Sequence, residues 1–143
     1  MIEMNTISKK RMATAILAFA VFSSQPSMAN HKDTQWSKNE LHAIAQTLAG
    51  ECYDDKELDK RHVCEVILNR VSNNNFANTI IEVLTTPAAF NGYWRQSRPI
   101  SRNDYAVAEQ TLKDWYDNGR KPLSEWLFFS KGSKRENVFR SSF

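Results

Sequence analysis

From about position 37 onward, apolar and polar residues recur along this chain with the period of helices. Leu41, Ile44, Ala45, Leu48 and Ala49 form one apolar stripe between Ser37 and Gly50. Ser37-Lys38-Asn39-Glu40 has the spacing of a capping box and opens that helix. Val63, Val66, Ile67 and Val71 mark the inward face of a second helix, from about Lys56 to Ser72, which Asn73-Asn74-Asn75 ends. A short helix over Thr79 to Leu84 stops before Pro87. Ser101-Arg102-Asn103-Asp104 caps a further helix, expected to bury Ala106, Ala108, Leu112 and Trp115 and to end at Asn118-Gly119. Trp126-Leu127-Phe128-Phe129 is too short for a helix and reads as a buried extended segment. The pattern predicts one mainly α domain over residues 37–143, with a minor extended aromatic element near its C-terminus.

Two stretches fall outside this rhythm. Ala88 to Ser101 is a long aromatic and basic loop containing Phe90, Asn91, Gly92, Tyr93, Trp94 and Arg95. Loops of that length inside a compact domain are usually functional or mobile. The N-terminus reads as a secretory signal peptide over 1–29: Lys9-Lys10-Arg11 is basic, and Met12 to Phe22 is apolar but too short to span a bilayer. Cleavage after Ala29 is expected, leaving 30–36 as a flexible arm and placing the protein in the periplasm or outside the cell.

Charge changes once that segment is set aside. Three cations (Lys9, Lys10, Arg11) leave with one acid (Glu3), so the formal +3 of the chain falls to +1. Asp54, Asp55, Glu57 and Asp59 then cluster near Glu51, while Lys131, Lys134, Arg135 and Arg140 crowd the C-terminus. Nothing in this distribution resembles a nucleic-acid footprint.

The chemistry is narrowed by what the residue inventory excludes. The three histidines, His31, His42 and His62, show no metal-ligand spacing, so neither a metal nor another cofactor is expected. Cys52 and Cys64 lack a histidine placed as a base, which argues against a thiol nucleophile. As the only two cysteines of an exported chain, they are expected to form a structural disulfide, contributing about 3 kcal/mol in the chain-entropy picture. A carboxylate among aromatics remains, which is the vocabulary of carbohydrate cleavage. Glu51 falls at the end of the first helix, where the partial negative charge disfavours an ionised carboxylate, and that suits a general acid. Phe90, Asn91, Tyr93, Trp94, Phe128, Phe129 and Ser130 offer the rings and polar groups that a sugar needs. Asp54 and Asp55 read as solvated loop acids rather than electrostatic helpers.

Taken in order, these residues resemble the spore-cortex-lytic, or cell-wall hydrolase, family (SleB-like). The series runs Leu41-His42-Ala43-Ile44-Ala45, Leu48-Ala49-Gly50-Glu51, Val66-Ile67-Leu68-Asn69-Arg70, Phe76-Ala77-Asn78-Thr79-Ile80, Pro87-Ala88-Ala89-Phe90 and Leu127-Phe128-Phe129. The resemblance implies a lysozyme-like, lytic-transglycosylase-like fold. It also implies that Glu51 protonates the glycosidic oxygen between N-acetylmuramic acid and N-acetylglucosamine in peptidoglycan. Either water or the muramoyl C6 hydroxyl then completes the reaction, giving a muramidase or an anhydro-forming lytic transglycosylase. Members commonly follow this glutamate with Ala-Arg-Gly-Glu, where this chain has Cys52-Tyr53-Asp54-Asp55. That departure supports the alternative of a non-catalytic peptidoglycan- or protein-binding module on the same fold. A monomer is expected in either case.

Overall fold

The capping box read at Ser37 is present in the computed structural model, which describes residues 34–53 and 56–142. The Ser37 hydroxyl accepts from Glu40 N at 3.1 Å, and Ser37 N donates to Glu40 Oε2 at 2.8 Å. Helix α1 runs from there over Lys38–Glu51, so Glu51 is its last residue. The expected signal peptide, Asp54, Asp55 and most of the arm lie outside the described residues. At the arm's described end, Trp36 packs on Tyr116 with ring centroids 5.8 Å apart.

The other helices follow the hydrophobic pattern closely. Helix α2 is Glu57–Val71, α3 is Ile80–Thr85 with Thr79 as its cap, and α5 is Arg102–Asp117 with a second capping box at Ser101 and Asp104. Gly119, just past the end of α5, has φ +69, the left-handed turn that stops a helix. Two details differ from the pattern. Ala106 is exposed, and Val107 takes the buried position beside Ala108. The long loop also contains a single helical turn, α4, Asn91–Trp94, too short to carry a periodic signature.

Helix α1 is central, packing on α4 and α5, while α2 packs on α3 and α5. Ile44, Leu48, Ile67, Leu68, Leu112 and Trp115 meet in one core between them. The extended segment proves to be half of a hairpin. Strand β1, Phe128–Lys131, pairs antiparallel with β2, Asn137–Arg140, in the register Phe129↔Phe139 and Lys131↔Asn137. Because side chains alternate along a strand, those two pairs share the face turned toward the helices. The first strand is half-buried rather than buried, since its outer face is open. This mainly helical architecture with one small sheet is the fold class expected.

The expected disulfide is absent: Cys52 and Cys64 are free, buried thiols. Each is occupied by a different neighbour. The Cys52 sulfur lies 3.9 Å from Asn137 Nδ2 and beside Asp59, whereas the Cys64 thiol lies beside Thr111 on α5. Both serve as small core residues. Among the described residues no helix is long and apolar enough to cross a membrane.

Candidate functional site

Glu51 is 9 % exposed, and what buries it is the helical turn α4. The two elements approach so closely that only glycine fits at the contact. A Cβ on Gly50 would lie 2.1 Å from the Gly92 carbonyl oxygen, and one on Gly92 would lie 2.8 Å from Glu51 Cγ. This backbone contact lets Gly92 N donate to Glu51 Oε1 at 2.7 Å. No described residue bonds the other oxygen, Oε2. The carboxyl is therefore oriented through one oxygen and leaves the other for a reaction partner.

The loop around α4 is tied to α1 at several further points. Gln46 Nε2 donates to Tyr93 O at 2.5 Å, and Ser97 Oγ donates to Ala49 O at 2.7 Å. Arg98 Nε donates to Cys52 O at 3.1 Å, while its other nitrogens grip Asp104 at 2.6 and 2.7 Å. Asp104 also receives the buried Lys60 ammonium at 3.1 Å. Burial by itself would raise the Asp104 carboxyl, but the bonds from Arg98, Ser101 and Lys60 outweigh it and hold the group well below the usual carboxylate range. Cys52, directly after Glu51, is thus held from the start of α5.

The hairpin reaches Glu51 from the opposite direction. Lys131 Nζ donates to the Glu51 backbone carbonyl and, at 2.8 Å, to Asn137 Oδ1. Asn137 Nδ2 donates to Asp59 Oδ2 at 2.7 Å and to Glu51 O at 3.3 Å. The Lys131 ammonium also sits 5.1 Å above the ring of Tyr53, which is 55 % exposed.

The residues expected to meet a sugar separate into two groups. Asn91, Tyr93 and Trp94 lie on α4, the turn that holds Glu51; Trp94 is 64 % exposed and stands edge-on to Tyr93, with centroids 4.9 Å apart. Phe90, by contrast, is 1 % exposed and belongs to the core, against Phe129 and under Arg70. An apolar ring at the start of a polar loop is buried because it anchors that loop. Phe128 and Phe129 are half-buried on β1, the first against Phe76 and the second against Phe139, and Ser130 beside them is exposed. Gly92, Lys131, Asn137 and Tyr53 were not singled out by sequence reasoning. An isolated glycine can mark a close backbone approach, which is the signal Gly92 offered.

The Leu68-Asn69-Arg70 segment is architectural. Asn69 Nδ2 donates to Ser124 Oγ at 3.0 Å and to Trp126 O at 2.9 Å, and its Oδ1 accepts from Leu123 N at 2.8 Å. Arg70 Nε donates to Leu127 O at 2.8 Å, and its guanidinium lies 4.9 to 5.3 Å from the centroids of Phe76, Phe90 and Phe128. Together they moor the segment that leads into the hairpin.

Comparison with known proteins agrees with this fold. The sequence pattern of the Cell Wall Hydrolase family matches residues 50–142. The crystal structure of the catalytic domain of the Bacillus cereus SleB protein is similar in fold, with a TM-score of 0.57 at 20% identity. That match covers 80% of this chain and 98% of the SleB domain. No curated protein matches the chain.

Proposed function

Because the chain belongs to the cell wall hydrolase family, we propose that it cleaves the glycan strands of peptidoglycan with Glu51 as the acid and base. The observation that carries this reading is the asymmetric setting of the Glu51 carboxyl. Gly92 N–H bonds Oε1 at 2.7 Å, and no described residue bonds Oε2. A carbonyl-type oxygen and a carboxylate oxygen both accept from an amide, so the same contact orients the group in either protonation state. In the acid form the proton is then carried by Oε2. Protonation of the glycosidic oxygen by Oε2 breaks the bond to the leaving sugar and leaves an oxocarbenium-like ring. The resulting carboxylate takes a proton from the group that attacks it, which is water or the muramoyl C6 hydroxyl.

The exposed Trp94 and the half-buried Tyr93 support this reading as rings on which a sugar face can pack. The family assignment favours a site of action at the wall, in the periplasm or outside the cell, in keeping with the expected signal peptide. Purified sacculi, incubated with the mature protein and with Glu51→Gln, test the proposal. Release of soluble muropeptides by the wild type and at least a hundredfold less by Glu51→Gln is expected. Equal release by both would remove Glu51 from the chemistry. Sacculus binding with no release by the wild type would favour the non-catalytic module instead.

A further inference from the structure

The hairpin contributes to the site through a residue that lies 80 positions from Glu51 in sequence. The carbonyl of the last residue of a helix has no partner within the helix, and the helix end carries partial negative charge. At Glu51 that carbonyl is taken by Lys131 Nζ, with Asn137 Nδ2 as a second donor at 3.3 Å. Resting on the reading of Glu51 given above, we propose that Lys131, held by Asn137, is a positioning residue that sets the direction of the Glu51 carboxyl.

The geometry leaves Lys131 little freedom for another task. An ammonium has three N–H donors. One goes to Glu51 O, one to Asn137 Oδ1 at 2.8 Å, and the ammonium rests over the face of Tyr53 at 5.1 Å. Two of the three donors are therefore spent on the protein itself. Asn137 is itself fixed, because it is 7 % exposed and its amide bonds Asp59 Oδ2 at 2.7 Å. Asp59 lies in the first turn of α2, so the clasp joins the end of α1, the start of α2 and both strands of the hairpin. Lys131↔Asn137 is also the last pair of the ladder, which places both side chains on the inward face.

Fixing the carbonyl of Glu51 fixes the peptide plane after its Cα, and with the plane before it held in the helix the Cα–Cβ bond is restrained from both sides. The carboxyl on that bond must meet Gly92 N at 2.7 Å. With the clasp removed, the helix end can fray by one residue while the core below it remains packed. A displacement of that size at a reacting group is worth up to about 100-fold in rate.

Lys131 is exposed on β1 and outside the apolar core, so its substitution is expected to leave the packed helices in place. The experiment compares wild type, Lys131→Met and Lys131→Arg by the amide NMR signal of Gly92 in 15N-labelled protein and by sacculus digestion. For Lys131→Met the Gly92 amide proton is expected to move upfield, toward the position of an unbonded amide. Turnover should fall about tenfold with sacculus binding and Tm little changed, while Lys131→Arg restores both signals. The proposal is overturned if Lys131→Met leaves the Gly92 amide and turnover unchanged, or if turnover falls only in step with the loss of folded protein. The NMR arm does not depend on Glu51 being the acid. An active Glu51→Gln variant would refute the proposed function and still leave the Gly92 signal to decide whether Lys131 aims this side chain.

Discussion

At Glu51 the side chain and the backbone are held by different parts of the chain. Oε1 is bonded by Gly92 N–H, and the carbonyl is bonded by Lys131 and Asn137. The first contact needs two glycines facing each other, since a Cβ on Gly50 would come within 2.1 Å of Gly92 O. Gly92→Ala therefore has to push α4 away from α1 and break the bond to Oε1. Its expected result is at least a hundredfold loss of sacculus digestion, together with a fall in stability of roughly 1–3 kcal/mol in urea unfolding. Unchanged digestion would show that this orientation of the carboxyl is dispensable. Glu51 was legible in the sequence through the ordered motifs around Leu48-Ala49-Gly50-Glu51, more than through its place at a helix end. Its partners were not, because a close approach between residues 41 or 80 apart belongs to the tertiary fold.

The two cysteines make a second point at this scale. Burial pushes the Cys64 thiol up to about 12, and burial together with the Asp59 carboxylate raises Cys52 further. Both should resist thiol reagents at neutral pH until the protein unfolds, and a reductant should leave Tm unchanged. Labelling in the folded state would show that the thiols are not sealed in the core, whereas no labelling after unfolding without reductant, or a Tm that drops with reductant, would restore the disulfide. Cysteine number and compartment pointed to a bridge, but they carry no information about which neighbour each sulfur meets.

Among the elements, α1, α2 and α5 were legible because each combines an apolar stripe with end signals that the structure satisfies locally. The turn α4 and the second strand were not. Four residues hold no period, and β2 is recognised only by its pairing with β1. The start of α5 also has a role beyond capping. Asp104 completes the capping box, binds Arg98 through both oxygens and neutralises the buried Lys60. Asp104→Asn should cost about 3–5 kcal/mol, as expected when one partner of a buried pair is removed.

The sign of the pH dependence follows from the same contacts. The folded-state value of Asp104 is depressed, so its stabilising contribution is complete above the unfolded carboxylate value of about 3.9. It is lost as pH falls from there toward the lower folded value. Wild-type Tm should therefore drop between about pH 5 and pH 2 more steeply than that of Asp104→Asn. Parallel curves would show that this carboxyl does not carry the acid sensitivity.

For the molecule as a whole, the ordered series of motifs was legible, but the division of labour among them was not. Leu68-Asn69-Arg70 belongs to the family pattern, yet its polar side chains face the C-terminal segment rather than a ligand. Asn69 makes three hydrogen bonds to Leu123, Ser124 and Trp126 while fully buried. At about 1 kcal/mol net for each bond, Asn69→Ala should destabilise the protein by roughly 2–4 kcal/mol. It should also loosen the hairpin that clasps Glu51, so turnover falls along with stability. A loss under about 0.5 kcal/mol would mean that the C-terminal segment is held elsewhere.

Glycan cleavage by one oriented carboxyl leaves its mark on the products. Mass spectrometry of the fragments released from sacculi by the wild type, with Glu51→Gln as the blank, tests it most directly. New saccharide ends are expected, either reducing or 1,6-anhydro N-acetylmuramic acid, with every stem peptide intact and none of these products in the blank. Fragments bearing new peptide termini on unbroken glycan, or the same saccharide ends in both samples, would contradict it.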